Sequence, residues 1–457
     1  MSRNYILTKK QIIQSENNFI SKNPLQNIMT LAGEKIWKKL SPFLKDKKTL
    51  FLCGSGKNGE DGKMLFNLAK KNFDADFINF KKSVKLQLDF KKLKKTINNY
   101  DIVIDALFGI GINRKIEGFY ADLFDLLNNS EPKIISIDLP SGINPDTGDV
   151  MGGSINANFT MAINFLKPAY FLHPSKAKCG KIILVDLGIR AIKKRNPNIK
   201  LINKNLIIKR RKKIPLDIHK YKKGNLLVFS GIMLGAARLV ALSARKIGCG
   251  LSTIKILKKF KKYSLVIEPG TITKYGENLN IDKYDAFVIG PGLGLNFPKK
   301  KILKSLNNKI PSVIDADALS IFEKTKKKFY KLLEQRNNQI LTPHQGEFNR
   351  IFNIKDSDKI TRSIIAAKLT NSVIVYKGND TVIADNKNNV YLNSKAQKSL
   401  ATAGTGDILA GLIGGLLSQN YSLIDASVLG VWVHSKLSCK KKNIIAEDFV
   451  SSIKPIK

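Results

Sequence analysis

Short apolar runs alternate with stretches of helical spacing along most of the chain. The run Thr49-Leu-Phe-Leu-Cys53 leads into glycines and predicts a buried strand. Residues 62–71 carry Met64, Leu65, Leu68 and Ala69 on one side, which predicts a helix. Further strands are predicted at 75–80, 101–105, 133–138 and 181–186. Apolar strands with helical crossovers predict a parallel sheet covered on both faces. Residues 192–215 are dense in Lys, Arg and Asn and read as a connection, with 206–208 a short strand inside it. The pattern then restarts. A strand at 225–229 precedes an Ala-rich helix at 235–247. Strands follow at 285–289, 312–314, 339–341, 373–376 and 381–384, and a Gly-rich apolar helix at 407–417. The halves share no internal repeat. The expected fold class is α/β, with two doubly wound domains in series.

Length agrees with that division, because 457 residues suit two or three domains of ordinary size. An apolar fraction of 43% with 25% charged residues excludes a chain disordered throughout. No apolar run approaches the roughly 18 residues a membrane span needs. The first ten residues lack the long apolar stretch of a secretory signal. Cys53, Cys179, Cys249 and Cys439 are far apart and form no CxxC pair, which argues against structural zinc and for reduced thiols in a cytoplasmic protein. The net charge of +42 has two readings. A polyanion partner would explain it, but 67 of the basic residues are Lys and only 11 are Arg. Nucleic-acid readers lean on Arg for bidentate contacts. A chain enriched in Lys on its solvated faces is the preferred reading, with no nucleic acid or membrane as partner. The positive field still favours a phosphorylated substrate.

The sharpest local feature of the first half is Cys53-Gly-Ser-Gly-Lys-Asn-Gly-Glu-Asp-Gly62. Gly54, Gly56 and Gly59 fit GxGxxG between a strand and a helix, the Rossmann-like setting for a phosphate at a helix N-terminus. A tight turn without a ligand would look the same. Two more strand ends carry polar groups. Asp105-Ala-Leu-Phe-Gly-Ile-Gly111 and Asp138-Leu-Pro-Ser-Gly142 put carboxylates where an open parallel sheet binds ligands. Asn58, Asp105, Asp138 and Ser141 are expected to converge there.

These residues, with Met29-Thr-Leu-Ala-Gly33, resemble the NAD(P)H-hydrate epimerase domain over about 10–205. The resemblance implies a potassium ion held by Asn58, Asp105 and Ser141. It implies that Lys57, Asn58, Gly59, Glu60 and Asp61 contact the hydrated nucleotide. So would Gly109, Ile110, Gly111, Ile112, Asn113, Arg114, Lys115 and Asp138. Asp138 is the candidate acid/base as water leaves and returns at the nicotinamide carbon. The family turn usually reads Asn-Asn-Gly-Gly-Asp-Gly. Lys57 and Glu60 replace its first Asn and second Gly, so a side chain stands at position 60 where the family turn has none.

In the second half, Ala403-Gly-Thr-Gly-Asp407 stands before the Gly-rich helix. Free N–H groups and the positive dipole end make such a turn an anion hole, with Asp407 beside it as a general base. A plain N-cap is the alternative job for Asp407. Gly290-Pro-Gly-Leu-Gly294, Asp315-Ala-Asp317, Leu341-Thr-Pro-His344-Gln-Gly-Glu347 and Lys377-Gly-Asn-Asp-Thr381 each follow a strand. His344 has no second His or Cys nearby, so it does not read as a zinc ligand.

With His219-Lys-Tyr-Lys-Lys-Gly224 and Gly235-Ala-Ala237, this set resembles the ADP/ATP-dependent (S)-NAD(P)H-hydrate dehydratase of the ribokinase-like superfamily, over about 215–457. The resemblance implies that Ala237, Gly292, His344 and Asp407 contact the hydrated nucleotide. It implies that Lys377, Gly378, Asn379, Asp380, Thr381 and Gly406 contact ADP, with magnesium accompanying the nucleotide. The loop between the first strand and Gly235 is about two residues shorter than usual. The implied domains are 1–205, an epimerase, and 215–457, an ADP-dependent dehydratase. The implied substrates are NADHX and NADPHX with ADP or ATP, in a homo-oligomer. Two other classes compete. A ribokinase-like kinase of a vitamin precursor would leave a phosphate ester. A nucleic-acid module would bind with steep salt dependence and no turnover.

Overall fold

The computed structural model describes residues 5–25, 27–80, 89–212, 223–258, 261, 268–276, 280–354, 358–393, 402–439 and 445–456. It divides between Arg195 and Asn196 into two compact units.

The first unit, Tyr5–Arg195, has a parallel six-stranded sheet. Its order is Ala75–Asn79, Thr49–Cys53, Ile102–Ala106, Lys133–Ile137, Phe159–Ile163, Lys181–Val185. Side chains alternate between two cores, as the period of a strand requires. Leu50, Leu52, Val103 and Ile134 pack with Leu93, Leu123 and Phe124 on one face. Phe51, Ile104, Ile135 and Met161 pack with Ile36, Leu40 and Leu65 on the other. Both faces are covered, as the apolar runs predicted. Register sets Asp105 beside Ser136 on adjacent strands. The strand Phe159–Ile163 was not among those predicted. The helix predicted at 62–71 starts five residues earlier, as Lys57–Ala69. Asn58 to Asp61 therefore lie at the start of this helix rather than in a loop ahead of it.

The second unit begins with residues assigned above to a connection. Asn198–Leu201 is a strand paired with Asn389–Leu392. Residues 206–208 lie in the helix Lys204–Arg210, capped by Asn203, and not in a strand. From Asn198–Leu201 the sheet order continues Asn389–Leu392, Val382–Ala384, Val373–Tyr376, Gln339–Leu341, Ser312–Ile314, Ala286–Ile289, Asn225–Phe229, Leu251–Ile256, Ile272–Tyr275. All these pairings are parallel except the two made by Val382–Ala384. The predicted Gly-rich helix is Thr405–Ser418, and it lies against Leu234–Lys246. Its glycines allow that approach: a Cβ on Gly411 would sit 2.3 Å from the Val240 carbonyl oxygen. Pro215 and His219 to Lys222 fall outside the described residues.

All four cysteines are free, Cys439 exposed and the others buried. Among the described residues no helix is long and apolar enough to cross a membrane.

Candidate active sites

In the first unit the polar groups gather at the carboxyl ends of the strands. Asp105 is fully buried. Its carboxylate accepts from Ser136 Oγ at 2.7 Å, Ser141 Oγ at 2.5 Å, Ser141 N at 2.9 Å and Leu107 N at 3.3 Å. Burial raises its pKa, and the bonds from Ser141 and Ser136 oppose that rise. All four donors are neutral. Ser141 Oγ also accepts from Phe108 N at 2.8 Å. Asn58 is buried, and its Nδ2 has no hydrogen-bond partner. A Cβ on Gly109 would lie 3.2 Å from Asn58 Cβ, so the turn after Asp105 abuts that side chain. Oxygens of Asn58, Asp105 and Ser141 are thus the donors able to hold a hard cation.

Asp138 sits in the left-handed region, at φ +67°. Its Oδ1 accepts from Lys167 Nζ at 2.7 Å and Ile163 N at 3.4 Å. Lys167 and Tyr170 were missed by sequence reasoning. The available signal was a lone Lys in the apolar stretch Phe165-Leu-Lys-Pro-Ala-Tyr170, since a charge there must be paired. Asp61 is pushed up to about 7, by burial first and then by Asp138, Glu60 and Glu16, with Lys57 opposing. Glu16, on the helix Lys9–Ile20, was also missed. Its pKa is raised by burial and then by Asp138.

The remaining expected contacts are scattered in exposure. Lys57 and Glu60 are exposed, and Gly59 is buried, packed on Gly54. Glu60 points outward, so the lost Gly at that position does not fill the turn. Gly109 and Ile110 are half-buried and Gly111 is exposed, as are Asn113, Arg114 and Lys115. Ile112 is turned into the core.

In the second unit three turns interlock. A Cβ on Gly290 would lie 1.7 Å from the Asp315 carbonyl oxygen, and one on Gly292 2.5 Å from that of Met233. Gly294 N donates to Asp317 Oδ2 at 2.7 Å. Around them lies a charged cluster. Lys377 Nζ is 2.7 Å from Asp315 Oδ1 and 3.7 Å from Glu347 Oε2. A Cβ on Gly406 would be 3.8 Å from the same Nζ. Lys377, expected at the nucleotide, thus turns its side chain to the carboxylates. Burial lowers its pKa, but Asp315 and Glu347 outweigh burial and the net direction is up.

Gly404, at φ +86°, caps the helix Thr405–Ser418, and Asp407 falls in its first turn. Asp407 is pushed up to about 6 by burial, then by Asp315, against the pull of Lys377. The N-cap is Gly404 and Asp407 is the third helical residue, so Asp407 does not occupy the N-cap position. His344 does cap: its Nδ1 accepts from Gly346 N at 3.0 Å, and Glu347 Oε2 accepts from His344 N at 2.8 Å. Its side chain is half-exposed. Ala237 is fully buried in the core and presents no surface. In the hairpin after Tyr376, Lys359 Nζ lies 2.5 Å from Asp380 Oδ1, and Thr381 Oγ1 donates to the Gly378 carbonyl at 2.8 Å. His434, missed from sequence, is buried, with Nε2 2.9 Å from the Thr405 carbonyl oxygen. Burial lowers its pKa to about 4, so the neutral ring supports the glycine turn.

A family model described as NAD(P)H-hydrate dehydratase matches residues 226–451, and one described as YjeF-related protein N-terminus matches residues 25–169. The chain is 33% identical to the bifunctional NAD(P)H-hydrate repair enzyme Nnr of Dictyoglomus turgidum, over 86% of each chain. It is 30% identical to that of Coxiella burnetii, over 89% of this chain and 88% of the relative. A ribokinase-like superfamily protein from Enterococcus faecalis aligns with 58% of this chain and 96% of its own, at a TM-score of 0.50 and 22% identity, a likeness of fold. The dehydratase match decides against the vitamin-precursor kinase. Identity near a third across most of both chains, with the two models in order, shows that the chain belongs to the family of bifunctional NAD(P)H-hydrate repair enzymes.

Proposed function

We propose that the first unit interconverts the R and S forms of hydrated NADH and NADPH, and that the second dehydrates the S form at the expense of ADP or ATP. The observation that carries this is Asp407 in the first turn of a glycine-capped helix, beside Lys377, Asp315 and Glu347.

A ring hydroxyl is a poor leaving group. Asp407 takes its proton as the oxygen attacks the terminal phosphate, while the N–H of Gly406 and the Lys377 ammonium face the transferring group. Phosphate then leaves with the C–O bond, and loss of the neighbouring ring proton restores the double bond. Magnesium arrives with the nucleotide as part of that substrate. The hairpin 377–381 and Gly406 are the proposed nucleotide contacts, and Gly292 and His344 those of the hydrate.

In the first unit the hydroxyl leaves as water and needs a proton. Asp61, pushed up to about 7, holds one in about half of the molecules at neutral pH. The Asp138 carboxylate faces the cationic ring and receives the proton of the returning water. Potassium fits the oxygens of Asn58, Asp105 and Ser141, with Asp105 buried and Asn58 against the turn that follows it. Bound there, the ion supplies positive charge for phosphate and carboxylate. Free thiols suit a cytoplasmic setting.

The test mixes purified protein with R/S NADPH hydrate, magnesium, potassium and ADP or ATP, and follows reduced-nicotinamide absorbance. Full conversion is expected. A stop once the S form is consumed removes the epimerase; no nucleotide-dependent recovery removes the dehydratase.

A further inference from the structure

The strand Phe159–Ile163 runs on into Asn164-Phe-Leu-Lys167-Pro-Ala-Tyr170, a segment without any assigned role. Its single charge, Lys167, is 2% exposed. A lysine is buried to that extent only against a partner. That partner is Asp138 Oδ1, at 2.7 Å. Three residues on, Tyr170 is also buried, and its hydroxyl donates to the Asp138 backbone carbonyl at 2.5 Å. Lys167 Nζ lies 3.3 Å from the same hydroxyl and 3.5 Å from the Phe165 carbonyl oxygen.

One segment therefore grips Asp138 twice, by its carboxylate and by its carbonyl. The second grip matters because Asp138 holds a left-handed backbone, φ +67°, which an L residue keeps only where its surroundings impose it. The first grip leaves the carboxylate one-sided. Both of its donors, Lys167 Nζ and Ile163 N, go to Oδ1. Oδ2 accepts no hydrogen bond from the described residues.

We infer that Lys167 and Tyr170 are positioning residues for epimerisation, which lock the Asp138 turn and aim a charge-balanced carboxylate with Oδ2 toward the ring. The inference rests on the epimerase reading of the first unit. In that reaction the C–O bond breaks with the ring-nitrogen lone pair filling in, and the hydroxyl departs with a proton as water. Water then adds to the opposite face and gives up a proton, so atoms and charge balance without an oxidant. A flat cation that water attacks from either face needs a neighbouring anion that does not swing. Asp61 and Glu16, from two different helices, are other charged groups whose field reaches Asp138.

The experiment uses the full chain with potassium and no nucleotide, so that only R-to-S conversion of NADPH hydrate is read. Dehydration of the S form with ADP, in the same preparations, reports on the other unit. K167M is expected to lose about 100-fold in kcat with KM within about threefold, the loss typical of a misdirected group. Y170F, which keeps the ring and drops one hydrogen bond, is expected to lose about tenfold in kcat. K167R is expected to recover part of the K167M loss, because it restores the charge. Turnover within about twofold for both K167M and Y170F would overturn the inference while leaving the epimerase reading intact. So would a rise in KM at constant kcat, which would make Lys167 a binding group. If K167M fails to fold, Y170F decides alone. A wild-type chain that does not convert R to S overturns the epimerase reading and this inference together.

Discussion

Both units put carboxylates at the carboxyl ends of parallel strands, and they handle the charge in opposite ways. In the first, Asp105 is sealed under four neutral donors and Asp138 is paired with a buried lysine. In the second, Asp407 stands half-buried at a helix start and is pushed up to about 6, inside a cluster that shares one ammonium. The first arrangement fixes charge at the strand ends and leaves the raised carboxyl to Asp61, at a helix start. The second holds a carboxylate near neutral pH, which suits the general base proposed for it. The lesson is that a carboxylate's depth and partners, more than its presence, tell which job it does.

The largest effect expected is from Asp407→Asn. Removing the base should lower dehydration by roughly 10³-fold, within the usual range for a general base. Epimerisation should be unchanged, since Asp407 belongs to the second unit. Equal loss of both activities would abolish the division of labour.

Next is Gly59→Ala, in the first unit. The new methyl would lie 1.9 Å from the Gly54 carbonyl oxygen, a contact neither backbone can yield. Loss of about 2–4 kcal/mol is expected for overpacking of this severity. The mutant should lose epimerase activity and the melting transition of its own unit, with S-form dehydration retained. A variant that epimerises normally would show that the turn is looser than its packing implies.

That turn also shows what sequence could and could not convey. The strands ending at Cys53, Ala106 and Ile137 were legible because they are short apolar runs buried on both faces. Phe159–Ile163 and Leu251–Ile256 escaped because buried Thr160, Ser252 and Thr253 break the apolar run. Ile272–Tyr275 escaped because it lies mostly exposed. The helices at Lys57 and Thr405 begin earlier than predicted because glycine and polar residues there obey tertiary packing rather than helix propensity. The carboxylates of the sites were legible from their places after strands. Their counter-charges were not: Lys167 meets Asp138 across 29 residues and Lys377 meets Asp315 across 62, and no local spacing encodes such pairs.

A smaller effect should come from Lys377→Met. Lys377 lowers the pKa of Asp407, while burial and Asp315 raise it. Dehydration needs the ionised base, so activity rises as pH passes about 6. Without the ammonium, that limb should move to higher pH by roughly one unit, the usual size for losing a close opposite charge. Lys377→Arg should keep the limb where it is. An unmoved limb in the Met variant would detach Lys377 from the base and leave it a nucleotide contact alone.

The smallest effect separates the two sites by their exposure. Glu60 is exposed, yet it is among the charges that raise Asp61 to about 7. With Asp61 as the proposed acid, the rate of epimerisation should fall as pH rises through about 7. Glu60→Gln removes a like charge and should move that falling limb to lower pH. Water screens an exposed charge, so the move should be a few tenths of a unit and should shrink at high salt. The limb moved by Lys377→Met should respond far less to salt, because Lys377 and its partners are shielded from ions. A Glu60 effect that is large, or indifferent to salt, would mean that this side chain turns inward when substrate binds, and that the first site is less fixed than its buried pairs suggest.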